Sequence, residues 1–200
     1  TADIMSHTFE SYFSLDDGAY LQDRFAEAVL KTCIHYGPIA LKEPDNYDAR
    51  ANLMWAGTWA INGLLGCGKM TMWSAHPMEH ELSAFYDITH GVGLAILTPH
   101  WMRHVLNDNT VHKLAEYGVN VWGLPADADV YKTANAAIDK TSEFFASLGI
   151  PMTLREVGIG EEHLKEMAEA AVMHRSRSGK IRGFQTLTAA DVLAIYKAAL

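Results

Sequence analysis

Cysteine is scarce in this chain: Cys33 and Cys67 are the only two in 200 residues. They lie far apart and form no Cys-x-x-Cys, which excludes a disulfide framework and a cysteine zinc site, and free thiols suit a reducing cytoplasm. Long apolar runs are missing as well. The longest candidate, residues 91–98, stops at Pro99 and His100, far short of the roughly 20 residues a membrane-spanning helix needs. No secretory leader is expected, and the chain opens on Thr1 rather than Met, as a trimmed chain would. Basic excess is absent too. Sixteen Lys and Arg against 24 Asp and Glu give a net charge of −8, which argues against nucleic acid or an anionic membrane as partner.

Several catalytic signatures are also lacking. His80-Glu81 opens like the zinc-protease H-E-x-x-H, but Ala84 stands where the second histidine belongs. No His-Asp dipeptide occurs, which argues against a helical phosphohydrolase built on that pair. The stretch Gly63-Leu64-Leu65-Gly66-Cys67-Gly68 is not a phosphate loop. No strand pattern precedes it, and Met70 rather than Ser or Thr follows Lys69. It reads as a helix terminus and connector, or as a mobile loop near a cleft.

Histidine is what the chain has in quantity, with ten residues. Four of them fall with Asp3 into two groups: Asp3 and His7, then His76, His80 and His90. Residues four apart share one face of a helix. Asp3 and His7 can therefore grip one ion from one helix, and His76 and His80 share a face of another. His90 comes from beyond a break at Asp87-Ile88-Thr89, with Thr89 as the helix N-cap. Either pair alone is ordinary, an exposed helix pair or a structural one. Together, a carboxylate and several imidazoles suit Fe²⁺ or Zn²⁺ better than Ca²⁺ or Mg²⁺, which prefer oxygen throughout. His100 and His104 form a further i,i+4 pair with no carboxylate in the pattern, fit for the surface or core edge. His35, His112, His163 and His174 are scattered. Residues 175–180, Arg-Ser-Arg-Ser-Gly-Lys, form a basic loop, solvated or bordering a cleft where a cofactor phosphate passes.

Periodicity is helical almost throughout. Residues 19–36 carry an apolar stripe at Leu21, Phe25, Ala28, Val29, Cys33 and Tyr36, with Asp23, Arg24, Glu27 and Lys31 off it. Residues 38–44 read as a connector, and Asp45 as the N-cap of a helix whose body, 49–65, is apolar on most sides and belongs in the core. Residues 90–106 continue as a helix with Pro99 inside, where a kink is expected. Residues 111–122, 129–148, 161–174 and 188–200 are helical, the last capped by Thr188 with Asp191 in a variant capping box. No segment alternates as a strand and no repeat is visible. The expectation is one all-α domain over 1–200, a compact bundle of about eight or nine helices.

The residues Asp3-Ile4-Met5-Ser6-His7, the run from His76 to Gly91, Pro99, Gly149-Ile150-Pro151 and the tail from Leu187 to Tyr196 together resemble the iron-dependent (group III) alcohol dehydrogenases, in the butanol-dehydrogenase-like branch. The resemblance covers essentially the whole chain. It implies that Asp3, His7, His76 and His90 are the four metal ligands and that His80 sits beside metal and substrate as the catalytic proton relay. Glu79, where many members carry a small residue, points to the butanol-type branch. Members of the family begin with a dinucleotide-binding half bearing a Gly-Gly-Gly-Ser-type loop. This chain lacks it, so the expectation is the C-terminal half of such an enzyme, poorly active alone.

The resemblance further implies an NAD- or NADP-dependent alcohol dehydrogenase or aldehyde reductase. Fe²⁺ or Zn²⁺ would polarise the oxygen of a small alcohol or aldehyde for hydride transfer. The partner would be the missing dinucleotide-binding domain, and apolar surface left by its loss would favour a homo-oligomer. Two other readings stand beside this one: a helical metallohydrolase using metal-bound water, and a non-catalytic helical interaction domain.

Overall fold

The structure, a computed structural model, describes residues 1–14, 18–71, 73–175 and 179–200. Residues 176–178 of the basic loop lie outside the described residues. Among those described are nine α-helices: α1 (Ala2–Tyr12), α2 (Tyr20–Lys42), α3 (Tyr47–Ile61), α4 (Ala75–Tyr86), α5 (His90–Val105), α6 (Val111–Asn120), α7 (Val130–Ser147), α8 (Leu164–Arg175) and α9 (Ala189–Ala198). Short 3₁₀ turns occupy Leu64–Gly66 and Arg155–Val157. One bridge, between Ile181 and Leu187, is the only β pairing among the described residues. The expected all-α bundle of eight or nine helices is what the chain forms.

Helix α1 packs on α2, α3 and α5. Its C-terminal half is core. Phe9 and Phe13 meet Tyr117 at ring distances of 5.6 and 5.4 Å, and Phe13 also meets Trp101 and Phe184. That anchorage fixes the other half of α1, which carries Asp3 and His7. Helix α4 packs between α5 and α8, and the buried Tyr196 hydroxyl of α9 donates to the Met78 carbonyl (2.6 Å). Asp87 ends α4 in the left-handed region, at φ 52°. Aspartate tolerates that conformation better than most side chains. The chain therefore reverses within three residues, and α5 begins at His90 beside α4.

The structure corrects several expectations. Residues 38–42 are helical, not a connector, and Pro38 lies inside α2. Pro38 forfeits one backbone bond, but the ladder resumes and closes with Glu43 N–H on the Ile39 carbonyl (2.8 Å). Close packing holds this turn. A Cβ on Gly37 would lie 2.8 Å from Thr1 Cγ2, so glycine admits the start of α1 against α2. The N-cap of α3 is Asn46 rather than Asp45, its Oδ1 accepting from Ala49 N–H (3.0 Å).

Helix α3 is not a core helix. It buries only Ala49, Ala56 and Ala60, while Tyr47, Met54, Trp55 and Ile61 are exposed. The small residues face inward because the neighbouring helices approach closely, with Gly57 lying against Ile4. In α2 the period holds and the expected face holds only in part, with Val29 and Cys33 buried. Leu21 and Phe25 are exposed, whereas Asp23 and Glu27 are buried. Lys69 and Lys113 each reach Asp23 at 2.5 Å, and Glu27 accepts from Tyr12 and Arg24 at 2.9 and 2.6 Å. Buried carboxylates persist where they are paired and hydrogen-bonded.

Candidate metal centre

Three helices bring their chemistry to one place. Helix α1 supplies Asp3 and His7 one turn apart, α4 supplies His76 and His80 one turn apart, and α5 supplies His90 as its first residue. His7 and His76 face each other with ring centroids 4.4 Å apart, and His90 stands 5.4 Å from His76. Asp3 Oδ1 lies 3.5 Å from His7 Nε2 and 3.7 Å from His90 Nε2. Those gaps are long for hydrogen bonds. They match the ligand–ligand edge, about 3.4 Å, of a tetrahedron with bonds of about 2.1 Å. His80 is exposed and stacks on His90 at 5.5 Å.

Donor atoms cluster in two sets, Asp3 with His7 and His76, and Glu79 with His80 and His90. His90 joins them through its two nitrogens. Nδ1 is bonded to Glu79, and Nε2 faces Asp3. All five sequence-derived candidates thus fall in one locality.

Two carboxylates that spacing alone had not assigned hold the rings. Glu10, almost fully buried, accepts from the backbone N–H of Ser74 (2.7 Å), Ala75 (2.8 Å) and His76 (3.1 Å), and from His76 Nδ1 (3.1 Å). Ser74 makes no side-chain cap of its own, so a glutamate from α1 caps α4, where the helix's positive end favours an anion. The same carboxylate leaves His76 with its Nε2 lone pair directed elsewhere. A signal for Glu10 was present: positions 3, 7 and 10 share one helical face. Glu79, with no exposure, takes Nδ1 of His90 on Oε2 and the Ser83 hydroxyl on Oε1 (2.6 Å). Trp73 packs on His7 and His76 at ring distances of 5.1 and 4.5 Å.

The electrostatics suit a cation. Asp3 Oδ1 and His76 Nε2 are buried polar atoms with no hydrogen-bond partner. A buried group left so costs about 1–3 kcal/mol, a cost that coordination would remove. Burial, and then the charge of His76, hold the His7 imidazolium below its ordinary range, against the pull of Asp3. Neutral imidazole is the form that binds metal. Burial pushes the Glu79 carboxyl above its usual range, opposed by the Ser83 hydroxyl and by His90. Three imidazoles and one carboxylate fit Fe²⁺ or Zn²⁺.

An open groove of about 350 Å³ is lined by Asp3, Leu41, Thr89, Gly91, Val92 and Ile150 among others. A second hollow, between α2 and α3, is lined by Phe25, Val29, Trp55 and Trp59 and by no titratable side chain. Other histidines have partners of their own. His104 has a carboxylate partner after all, Asp191 (3.1 Å). His100 is held below its usual pKa by burial and by Arg103. His163 lies against Phe85 and Glu166.

The model of the Fe-containing alcohol dehydrogenase family, C-terminal, matches residues 1–200. The chain belongs to this family. NADH-dependent butanol dehydrogenase A of Clostridium acetobutylicum is 61% identical over 197 residues, covering 98% of this chain and 50% of that protein. The NADPH-dependent aldehyde reductase YqhD of Escherichia coli is 43% identical over 157 residues, 78% of this chain and 40% of that protein. A solved structure of the substrate- and cofactor-free form of YqhD superposes with a TM-score of 0.91 at 36% identity, covering all of this chain and 51% of that one. The chain therefore spans about half the length of the curated relatives it matches. The resemblance read from the histidine motifs, and its butanol-type branch, agree with these relatives. Neither of the two is a hydrolase or a non-catalytic interaction module.

Proposed function

We propose that this chain is the metal-bearing, substrate-activating part of a nicotinamide-dependent alcohol dehydrogenase or aldehyde reductase. Family membership supports the reaction class. The convergence of Asp3 Oδ1 and His76 Nε2, both buried and unpartnered, with His7 and His90 supports the site. Asp3, His7, His76 and His90 would hold Fe²⁺ or Zn²⁺. A divalent cation there supplies Lewis acidity toward the oxygen of a small alcohol or aldehyde. His80, exposed and stacked on His90, would carry the substrate hydroxyl proton between the site and solvent, as imidazole titrates near neutral pH. The NAD or NADP platform would come from a dinucleotide-binding half beyond these 200 residues, and residues 1–200 would be the helical substrate domain. Free cysteines, one of them exposed, suit the reducing cytoplasm.

Elemental analysis tests the site. The purified chain should hold one Fe²⁺ or Zn²⁺, and Asp3→Ala or His76→Ala should remove it. Metal content unchanged in both variants would overturn the reading.

A further inference from the structure

The candidate ligands do not explain Glu79. It is a carboxylate with no solvent exposure, in a helix whose other buried residues around it are mostly apolar. Its surroundings are built for it. Ser83, one turn on, donates to Oε1 at 2.6 Å, and Oε2 meets His90 Nδ1. Gly93, one turn into α5, makes the room. A Cβ there would stand 2.8 Å from both Cγ and Oε1 of Glu79, and 3.0 Å from Ile88 Cδ1. An ordinary side chain at 93 would displace the carboxylate.

The geometry points to Glu79 as a positioning residue for His90, acting on whatever divalent transition cation the site holds. With Nδ1 engaged by Glu79, the ring turns Nε2 toward Asp3 Oδ1, 3.7 Å away. A carboxylate behind a ligating imidazole fixes its tautomer and orientation and makes it a stronger donor. Glu10 does the same for His76, but it also caps α4 through three backbone amides. Glu79 bonds no backbone amide, so its effect on the cation can be separated from any effect on the helix. The inference rests on the ligand assignment proposed above.

The test uses Zn²⁺ and Co²⁺ as probes on the purified chain, with dissociation constants from chelator competition. Glu79→Gln keeps the volume and an amide oxygen that can still accept from Nδ1, but loses the charge. Gly93→Ala keeps the charge but displaces it. Both should weaken Zn²⁺ binding about 10- to 100-fold and shift the visible absorption of bound Co²⁺. The metal-stripped variants should keep wild-type helical circular dichroism, which a merely structural loss would not. A dissociation constant within about twofold of wild type for either variant, with His76→Ala still abolishing binding, overturns the role of Glu79 and leaves the metal site standing. Failure of the wild type to bind either ion overturns both.

Discussion

At the scale of single residues, the two histidines of α4 have different surroundings. His76 is buried, with its Nδ1 on Glu10 and its Nε2 unpartnered. His80 is exposed and meets the cluster through the face of the His90 ring. His90, by contrast, points a nitrogen toward Asp3. Removing a ligand weakens metal binding more than removing a relay, so His90→Ala should lose far more metal than His80→Ala. His80→Ala should mainly slow turnover in the whole enzyme. Equal metal loss in the two variants, by elemental analysis, would undo the division of roles. Spacing made these residues legible, because positions four apart on a helix must share a face. Glu10 was legible only through its register with Asp3 and His7. The contact of Glu79 with His90 was not legible at all, since it depends on a three-residue reversal at Asp87 and on the missing Cβ of Gly93.

At the scale of the element, helical period survived contact with the structure better than face did. The stripe from Leu21 to Tyr36 placed α2 correctly, yet the face it named carries Leu21 and Phe25 outside. Hydropathy does not see that Lys69, Lys113, Arg24 and Tyr12 wait to pair with Asp23 and Glu27. Capping is a local matter and was easier to read. Thr188 and Asp191 form the expected reciprocal box on α9, and the Asp191 carboxylate also meets His104 (3.1 Å). Burial works against ionisation of Asp191, but the Thr188 hydroxyl and amide, with His104, outweigh it and hold the pKa below the usual carboxylate range. The stabilisation is therefore complete above the unfolded value of about 3.9. It is lost as pH falls through the lower folded value. Asp191→Ala should cost about 1 kcal/mol near pH 7, and the gap to wild type should close in strong acid. Urea unfolding at both pH values measures it; a cost that stayed constant into acid would mean that the carboxylate's charge is not what holds the cap.

At the scale of the whole molecule, the centre is assembled but open. The side chains of Asp3 and His90 are 46% and 36% exposed, and Asp3 lines a groove. Hydride transfer needs water kept away from the reacting atoms and the donor held against the acceptor. Among the described residues there is no parallel sheet to seat a dinucleotide. Met54, Trp55 and Ile61 also stand largely in solvent on α3, where apolar side chains forgo the stabilisation of burial. Metal binding and turnover should therefore separate. The 200-residue chain should hold its cation through the residues of α1, α4 and α5, yet oxidise NADH or NADPH with a small aldehyde far more slowly than an enzyme spanning the relatives' full length. Both quantities can be measured on one preparation, by elemental analysis and by loss of reduced-nicotinamide absorbance. Turnover by this chain at the rate of a full-length butanol dehydrogenase would show that these helices alone provide the nucleotide platform, and the two-half description would fall.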